Sequence, residues 1–269
     1  MSADFFDTSA RLVRGVALVT GAGSGIGRAT SLALARHGAQ KLALLDINEG
    51  ALQETEDIVL AATKTTNNQI ETLKVHVDVS NESSIIEAMQ KVIKSFGRID
   101  IAVNNAGIGG PVAPSTEVSI DAYRAVIDVN MIGLWVCQRE EIKHMLCQDI
   151  IQGSRGVIVN MSSIYGLTSP SASTPASAYN ASKHGVIAIT KNDANYYARN
   201  SIRINAVCPG YVSTGAVEAV VPDDSIMRKE IDKVPMGRLA YPSEVGEAIV
   251  FLASPMSSFV HGTSLVIDG

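Results

Sequence analysis

Cysteine is scarce in this chain. Cys137, Cys147 and Cys208 are the full complement, an odd number with no C-x-x-C spacing, so neither a disulfide framework nor a zinc cluster is indicated. The five histidines form no H-x-x-x-H pair, and spacing reveals no metal site. Positive charge is also short. The 22 Lys and Arg against 27 Asp and Glu leave a formal net charge of −5, which argues against a nucleic-acid or anionic-membrane partner, since either would want a basic patch. No apolar run approaches the ~20 residues needed to span a bilayer. Met1 to Arg14 holds Asp4 and Asp7 and no apolar core, so it does not read as a secretory signal. A reducing, cytoplasmic setting is the expectation.

What is present describes an ordinary globular protein: 269 residues, 46% hydrophobic and 18% charged, enough for one large α/β domain over residues 1–269. Strand-like apolar runs alternate with helical patterns. Val16–Thr20, Lys41–Asp46, Thr72–Val77, Ile99–Val103, Gly156–Asn160, Ile202–Val207 and Thr263–Ile267 read as strands. Between them, Arg28–His37, Asn48–Ala62, Glu82–Phe96, Val118–Gln148, Ala176–Arg199 and Ser243–Ala253 read as helices. That alternation predicts a Rossmann-type, doubly wound parallel β-sheet with helices on both faces, a three-layer sandwich.

The first strand runs into Gly21-Ala-Gly-Ser-Gly-Ile-Gly27. Glycines at 21, 25 and 27 let the chain turn sharply and let a diphosphate approach main-chain N–H groups at a helix N-terminus. A glycine-rich turn alone is weak evidence, because many are only tight turns. Asp46, ending the second strand, either hydrogen-bonds the adenosine ribose hydroxyls, as an acid about 20 residues after such a turn does, or caps the helix that follows. No Arg or Lys sits at 22–24 or 47–48 to neutralise a 2′-phosphate, which favours NAD over NADP. Asp78, at the end of the third strand, faces an adenine or caps the next helix. Asn104-Asn105-Ala106-Gly107 ends the fourth strand with side chains small enough to line a cofactor. Asn130 sits in mid-helix, where its poor propensity asks for a reason: a bend, a held water, or a bond to its own backbone. Residues 213–240, interrupted by Pro222 and Pro235, read as a lid over the substrate.

Tyr179 and Lys183 lie four apart in a helical stretch and so on one face. A phenol's reference pKa of about 10 is too high for a base at pH 7, and an ammonium roughly 5 Å away at an effective dielectric near 20 contributes about 3 kcal/mol, or about 2 units downward. Taken alone, Tyr-x-x-x-Lys is common and is more often a half-buried tyrosine above a surface lysine.

The set reverses that reading. Thr20-Gly-Ala-Gly-Ser-Gly-Ile-Gly27, Asp78, Asn104-Asn-Ala-Gly107, Asn130, Ser163, Tyr179-x-x-x-Lys183 and Pro209-Gly210, in this order and at these strand ends, resemble the short-chain dehydrogenase/reductase family in its single-domain form, from about Val13 to Gly269. The resemblance implies that Tyr179 is the general acid–base, that Lys183 lowers its pKa and holds the nicotinamide ribose, that Ser163 binds the substrate oxygen, and that Asn130 holds a water relaying protons from Lys183. It implies a cofactor cleft in which Ser24 and Ile26 lie against the diphosphate, Asp46 and Ile47 at the ribose, Asp78 and Val79 at the adenine, and Asn105, Ala106 and Gly107 along the ribose side. Pro209, Gly210, Val212 and Thr214 complete it at the carboxamide and phosphates. A small-molecule secondary alcohol or ketone of moderately apolar character is the implied substrate, and a homotetramer the implied assembly. The alternative, a non-catalytic dinucleotide-binding or sensing module, has no use for Ser163 and Tyr179 together. One departure is that Ser163 and Tyr179 stand sixteen positions apart, about three more than in many relatives. The intervening loop is expected to bulge at the substrate mouth; if Ser162 were the oxygen-binding serine instead, the assignment would move by one.

Overall fold

The computed structural model describes residues 11–64, 69–151, 153–214 and 226–269. Seven strands form one sheet in the order β3-β2-β1-β4-β5-β6-β7, with every adjacent pair parallel. They are β1 (Val16–Thr20), β2 (Lys41–Asp46), β3 (Glu71–His76), β4 (Ile101–Asn104), β5 (Gly156–Met161), β6 (Ile202–Pro209) and β7 (Ser264–Ile267). The helices are α1 (Gly25–Arg36), α2 (Glu49–Lys64), α3 (Glu82–Phe96), α4 (Ile120–Ile127), α5 (Leu134–Cys147), α6 (Ser177–Tyr197), α7 (Ile226–Ile231) and α8 (Pro242–Ala253).

The central strands carry runs of successive apolar residues because both of their faces are covered. In β1, Ala17 and Val19 pack in one core with Leu34 of α1, Leu52 of α2 and Ile249 of α8. Val16 and Leu18 point the other way, into a second core with Ile85 and Val92 of α3, Ile142 and Met145 of α5 and Ala194 of α6. Each fully buried Leu or Ile in these layers contributes roughly 1.5–3 kcal/mol. Helix α3 shows how the sequence writes such an element. Ile85, Ala88, Met89, Val92 and Phe96 recur at helical spacing on its buried side, the Asn81 side chain caps its start by accepting the Ser84 N–H, and Gly97 closes it at φ 79°.

Two expectations are corrected. The single helix expected over Val118–Gln148 is two helices joined by one turn of π-helix, Asp128–Gly133, which holds Asn130. A π-turn admits an extra residue and is a known companion of functional positions; here it lets the buried Asn130 side chain face the β4 edge. The helix expected from Asn48 to Ala62 runs from Glu49 to Lys64, with Asn48 outside it accepting the Ala51 N–H at 3.0 Å. Of the expected lid, residues 215–225 lie outside the described residues. The described flanks hold a parallel bridge between Val212 and Ala240 and the short helix α7.

Strand order reverses between β1 and β4, so the loops after these strands diverge and leave a crevice at their carboxyl ends. Thr20 and Asn104, the last residues of the two strands, are register partners there.

Candidate active site

A cleft of about 900 Å³ opens at that crevice. Its wall includes Gly21, Ser24, Gly25, Ile26, Asp46, Ile47, Asp78, Val79, Asn105, Ala106, Gly107, Ser163, Tyr179, Lys183, Pro209, Gly210, Val212 and Thr214. Of the residues singled out from sequence, Thr20, Gly27, Asn104 and Asn130 stand behind the wall; Asn104, expected to line the cofactor, is turned inward onto Glu141 and Asn160 at 3.0 and 3.1 Å. A Cβ at Gly27 would come 2.0 Å from the Gly21 carbonyl oxygen, and Gly21 itself has φ +66°, so the β1–α1 turn closes only with glycine at both places.

The turn has the features of an anion cradle. Ser24 sits at the start of α1 without a side-chain capping bond, and the first turn of α1 carries no acid. The positive end of the helix is therefore left to a ligand. Asn105 and Thr20 brace the turn: the Thr20 hydroxyl accepts the Asn105 and Ala106 N–H groups at 3.0 and 3.1 Å, and the Asn105 amide donates to the Thr20 and Gly21 carbonyls at 3.1 and 3.2 Å.

Asp46 does two things at once. Its carboxylate accepts the Gly23 N–H at 2.9 Å and the Asn48 N–H at 3.0 Å, which braces the turn before α2 while Asn48 caps the helix, and one or more lone pairs remain for the cleft it lines. Arg28, which sequence spacing did not flag, reaches this corner. Its guanidinium is engaged by the Gly23 carbonyl at 2.6 Å, the Thr55 hydroxyl at 3.0 Å and Glu54 at 2.8 Å. Ile47 beside it is 61% exposed, an apolar surface open to the cleft. The Asp78 carboxylate accepts both the N–H and the hydroxyl of Ser80, at 2.9 and 2.7 Å, a local turn ahead of α3, whose cap is Asn81; Asp78 also lines the wall. The glycine cradle, the uncapped helix start and the acid beyond it fit a dinucleotide.

At the other end of the cleft, α6 carries Tyr179 and Lys183 on one face as the four-residue spacing requires. The Lys183 Nζ lies 5.5 Å from the Tyr179 ring centroid and donates to the Met161 carbonyl at 2.8 Å. Burial pushes the lysine down to about 8. The phenol departs from expectation: its pKa is raised, not lowered. Desolvation is the largest cause and the Tyr165 phenol adds to it, while a hydrogen-bonding interaction with Ser163 opposes them. An ammonium that is itself desolvated, and shared with a carbonyl, does not outweigh removal of the phenolate from water.

The two serines differ in what they bond. Ser162 is spent on structure, its hydroxyl donating to the Lys183 carbonyl at 2.9 Å; Ser163 is the one beside the Tyr179 hydroxyl. Asn130 bonds neither its own backbone nor the helix it interrupts. It clamps Ile108 from both sides, accepting the Ile108 N–H at 2.8 Å and donating to the Ile108 carbonyl at 2.8 Å, with Ser182 at 3.3 Å. Gly107 lies against this group; a Cβ there would sit 3.2 Å from the Asn130 Oδ1 and 3.6 Å from the Lys183 Nζ.

Sequence reasoning missed Tyr165 and Tyr211 as individual wall residues. Their hydroxyls meet at 2.6 Å although the residues are 46 positions apart, a pairing with no local signal. The 168–176 loop does stand at the mouth, with Thr174 and Ala176 in the wall. It is tied to α7: Glu230 accepts from the hydroxyls of Ser171 and Ser173 at 3.0 and 3.2 Å and from Lys233 at 2.7 Å. Among the described residues, no group of three His, Cys, Asp or Glu could hold a metal ion, and no helix is long and apolar enough to cross a membrane.

The sheet and its crevice define a Rossmann-type protein. A family model described as enoyl-(acyl carrier protein) reductase matches residues 21–269. The cis-4-hydroxycyclohexanecarboxylate dehydrogenase of Sinomonas cyclohexanicum is 40% identical, over 94% of this chain and 95% of its own. The crystal structure of levodione reductase superposes with a TM-score of 0.86 at 33% identity, covering 95% of this chain and 96% of that one. A chain from Agrobacterium tumefaciens, solved with bound NADP, superposes with a TM-score of 0.82 at 30% identity, covering 98% of each. The protein belongs to the short-chain dehydrogenase/reductase family of oxidoreductases, which use nicotinamide dinucleotides.

Proposed function

We propose that the protein is an NAD-dependent oxidoreductase that transfers a hydride between nicotinamide and a secondary alcohol or ketone of moderately apolar character. One observation carries this reading: the Tyr179 phenol, with Ser163 beside its hydroxyl and the Lys183 ammonium 5.5 Å from its ring, stands in the same cleft as the glycine cradle. The dinucleotide, when bound, supplies the hydride acceptor or donor.

The chain's own residues supply the rest. In alcohol oxidation Tyr179 takes the carbinol O–H proton, and in ketone reduction it returns that proton to the oxygen. Ser163 donates a hydrogen bond to the same oxygen as charge gathers on it. Lys183, largely protonated at neutral pH with its pKa near 8, favours the phenolate and has donors left for a ribose hydroxyl. Asn130 fixes the Ile108 backbone and, as the family resemblance implies, holds the water through which Lys183 exchanges protons with solvent. Asp46 binds the ribose hydroxyls. Its carboxylate is pinned by two backbone N–H groups, and the nearby Arg28 is already engaged, so a 2′-phosphate would meet uncompensated negative charge. That supports NAD over NADP.

The family description names an enoyl reduction, but the relative's name is that of an alcohol dehydrogenase, and the two hydroxyls of this site address an oxygen at the reacting carbon. A homotetramer in the cytoplasm is the setting the family resemblance implies. The test is a panel of secondary alcohols and ketones followed by nicotinamide absorbance with NAD and with NADP. Turnover of alcohols with NAD supports the reading; a preference for NADP overturns the cofactor assignment, and no turnover in either direction overturns the reaction.

A further inference from the structure

The wall of the cleft beyond Tyr179 carries a second polar device. Tyr165 follows Ser163 by two positions, and its backbone is held by the reacting pair's own neighbours: its N–H donates to the Ser163 hydroxyl at 3.2 Å, and its carbonyl accepts from the Asn180 amide at 2.8 Å. Tyr211 comes from the opposite loop, at the end of β6, where its carbonyl accepts the Ala240 N–H at 2.9 Å. The two rings meet edge to face with centroids 6.4 Å apart, and the hydroxyls are 2.6 Å apart. Both residues line the cleft.

A pair of phenols has two O–H donors, and one hydrogen bond between them uses only one. The other O–H is left over. Among the described residues neither hydroxyl has a further hydrogen-bond partner, so the spare donor is available to whatever fills the cleft. It stands beside the reacting oxygen's site yet apart from it, because Tyr165 influences Tyr179 while bonding Tyr211. The sign of the group it receives is also constrained. Lys183 is the only Lys or Arg among the described wall residues, and it is committed beneath Tyr179. A carboxylate placed at the phenol pair would have no cation to meet.

We infer that Tyr165 and Tyr211 form a specificity clamp for a second, neutral oxygen acceptor on the substrate, a ketone or hydroxyl separate from the carbinol being oxidised. This rests on the proposed dehydrogenase reading. The preferred substrates are thus diols, hydroxyketones or diketones, in preference to mono-alcohols or hydroxy acids of the same skeleton. A site built to hydrogen-bond an oxygen discriminates against the analogue lacking it, because the donor, half-buried here, is then left without a partner.

The experiment compares kcat and KM for matched substrates: cyclohexanol, the 1,2-, 1,3- and 1,4-cyclohexanediols and 4-hydroxycyclohexanecarboxylate, with the corresponding linear six-carbon alcohols and diols. They are measured for the unmodified enzyme, Tyr211→Phe and Tyr165→Phe. One diol is expected to exceed its mono-alcohol in kcat/KM by about tenfold, mainly through KM, and each phenylalanine variant is expected to cut that diol-to-mono-alcohol ratio to near one. The ratio is internal to each variant, so general loss of folded enzyme does not move it. Equal ratios in all three proteins, or a preference for the carboxylate, would overturn the clamp while Tyr179-dependent turnover of cyclohexanol left the dehydrogenase reading standing. No turnover of any member by the unmodified enzyme would overturn both.

Discussion

Replacing Glu141 by glutamine is expected to remove most of a pH dependence of stability that the unmodified protein carries. Glu141 lies on α5, fully buried beneath β4 and β5. Burial pushes its pKa from 4.5 up to about 8, with the Asn104 amide bond as the opposing influence. That amide donates to one carboxyl oxygen at 3.0 Å; the other oxygen and the Asn104 carbonyl oxygen are both buried and unpartnered among the described residues. The folded protein therefore holds a proton there at neutral pH, while the unfolded chain releases it near pH 4.5. Below pH 4.5 both states carry the proton and the stability is fully present. Between about 4.5 and 8 only the folded state does, and each pH unit costs about 1.4 kcal/mol, on the order of 4 kcal/mol by pH 8. Above 8 the folded state also ionises and the loss levels off. Glutamine does not titrate, and its amide can donate to the stranded Asn104 oxygen. Denaturant unfolding from pH 5 to 9 measures the effect: the difference between Glu141→Gln and the unmodified protein should grow with pH in favour of the variant. Parallel curves would refute the buried proton.

Two further outcomes are expected. Asp46→Asn keeps an oxygen for one backbone N–H but loses the charge, and should narrow the kcat/KM preference for NAD over NADP by about tenfold or more; an unchanged ratio would mean that Asp46 serves only to hold the Gly23 and Asn48 backbone. Glu230→Ala frees Ser171, Ser173 and Lys233, so hydrogen exchange in residues 168–176 should quicken while the strands stay protected; unchanged exchange would show that the loop holds its own shape.

How far the sequence foretold this depends on the range of the interaction. The strands were legible because β1 and β5 are apolar at successive positions, which only a doubly covered parallel strand tolerates. The cleft residues were legible because glycine, Asp46 and the Asn105–Gly107 run fall together at strand ends, where ligands of open α/β sheets bind. The π-turn was not legible: an extra residue in a helical ladder leaves the composition of 118–148 unchanged. Glu141 was hidden for a related reason, since Arg139-Glu140-Glu141 reads as a solvated run and only the packed helix shows that the third of these turns inward. The direction of the Tyr179 shift was misjudged because spacing reveals the ammonium but not the desolvation that opposes it. The Tyr165–Tyr211 pair joins two loops that meet only in the fold.

Tyr179→Phe measures the proposed chemistry most directly, because it removes one oxygen and keeps the ring over Lys183. NADH binding to the variant, followed by fluorescence titration, should stay within a few-fold of the unmodified protein, while alcohol oxidation should fall by 10²-fold or more, the usual contribution of a positioned acid–base. Undiminished turnover in a variant that binds NADH normally would contradict the assignment of Tyr179 as the proton acceptor.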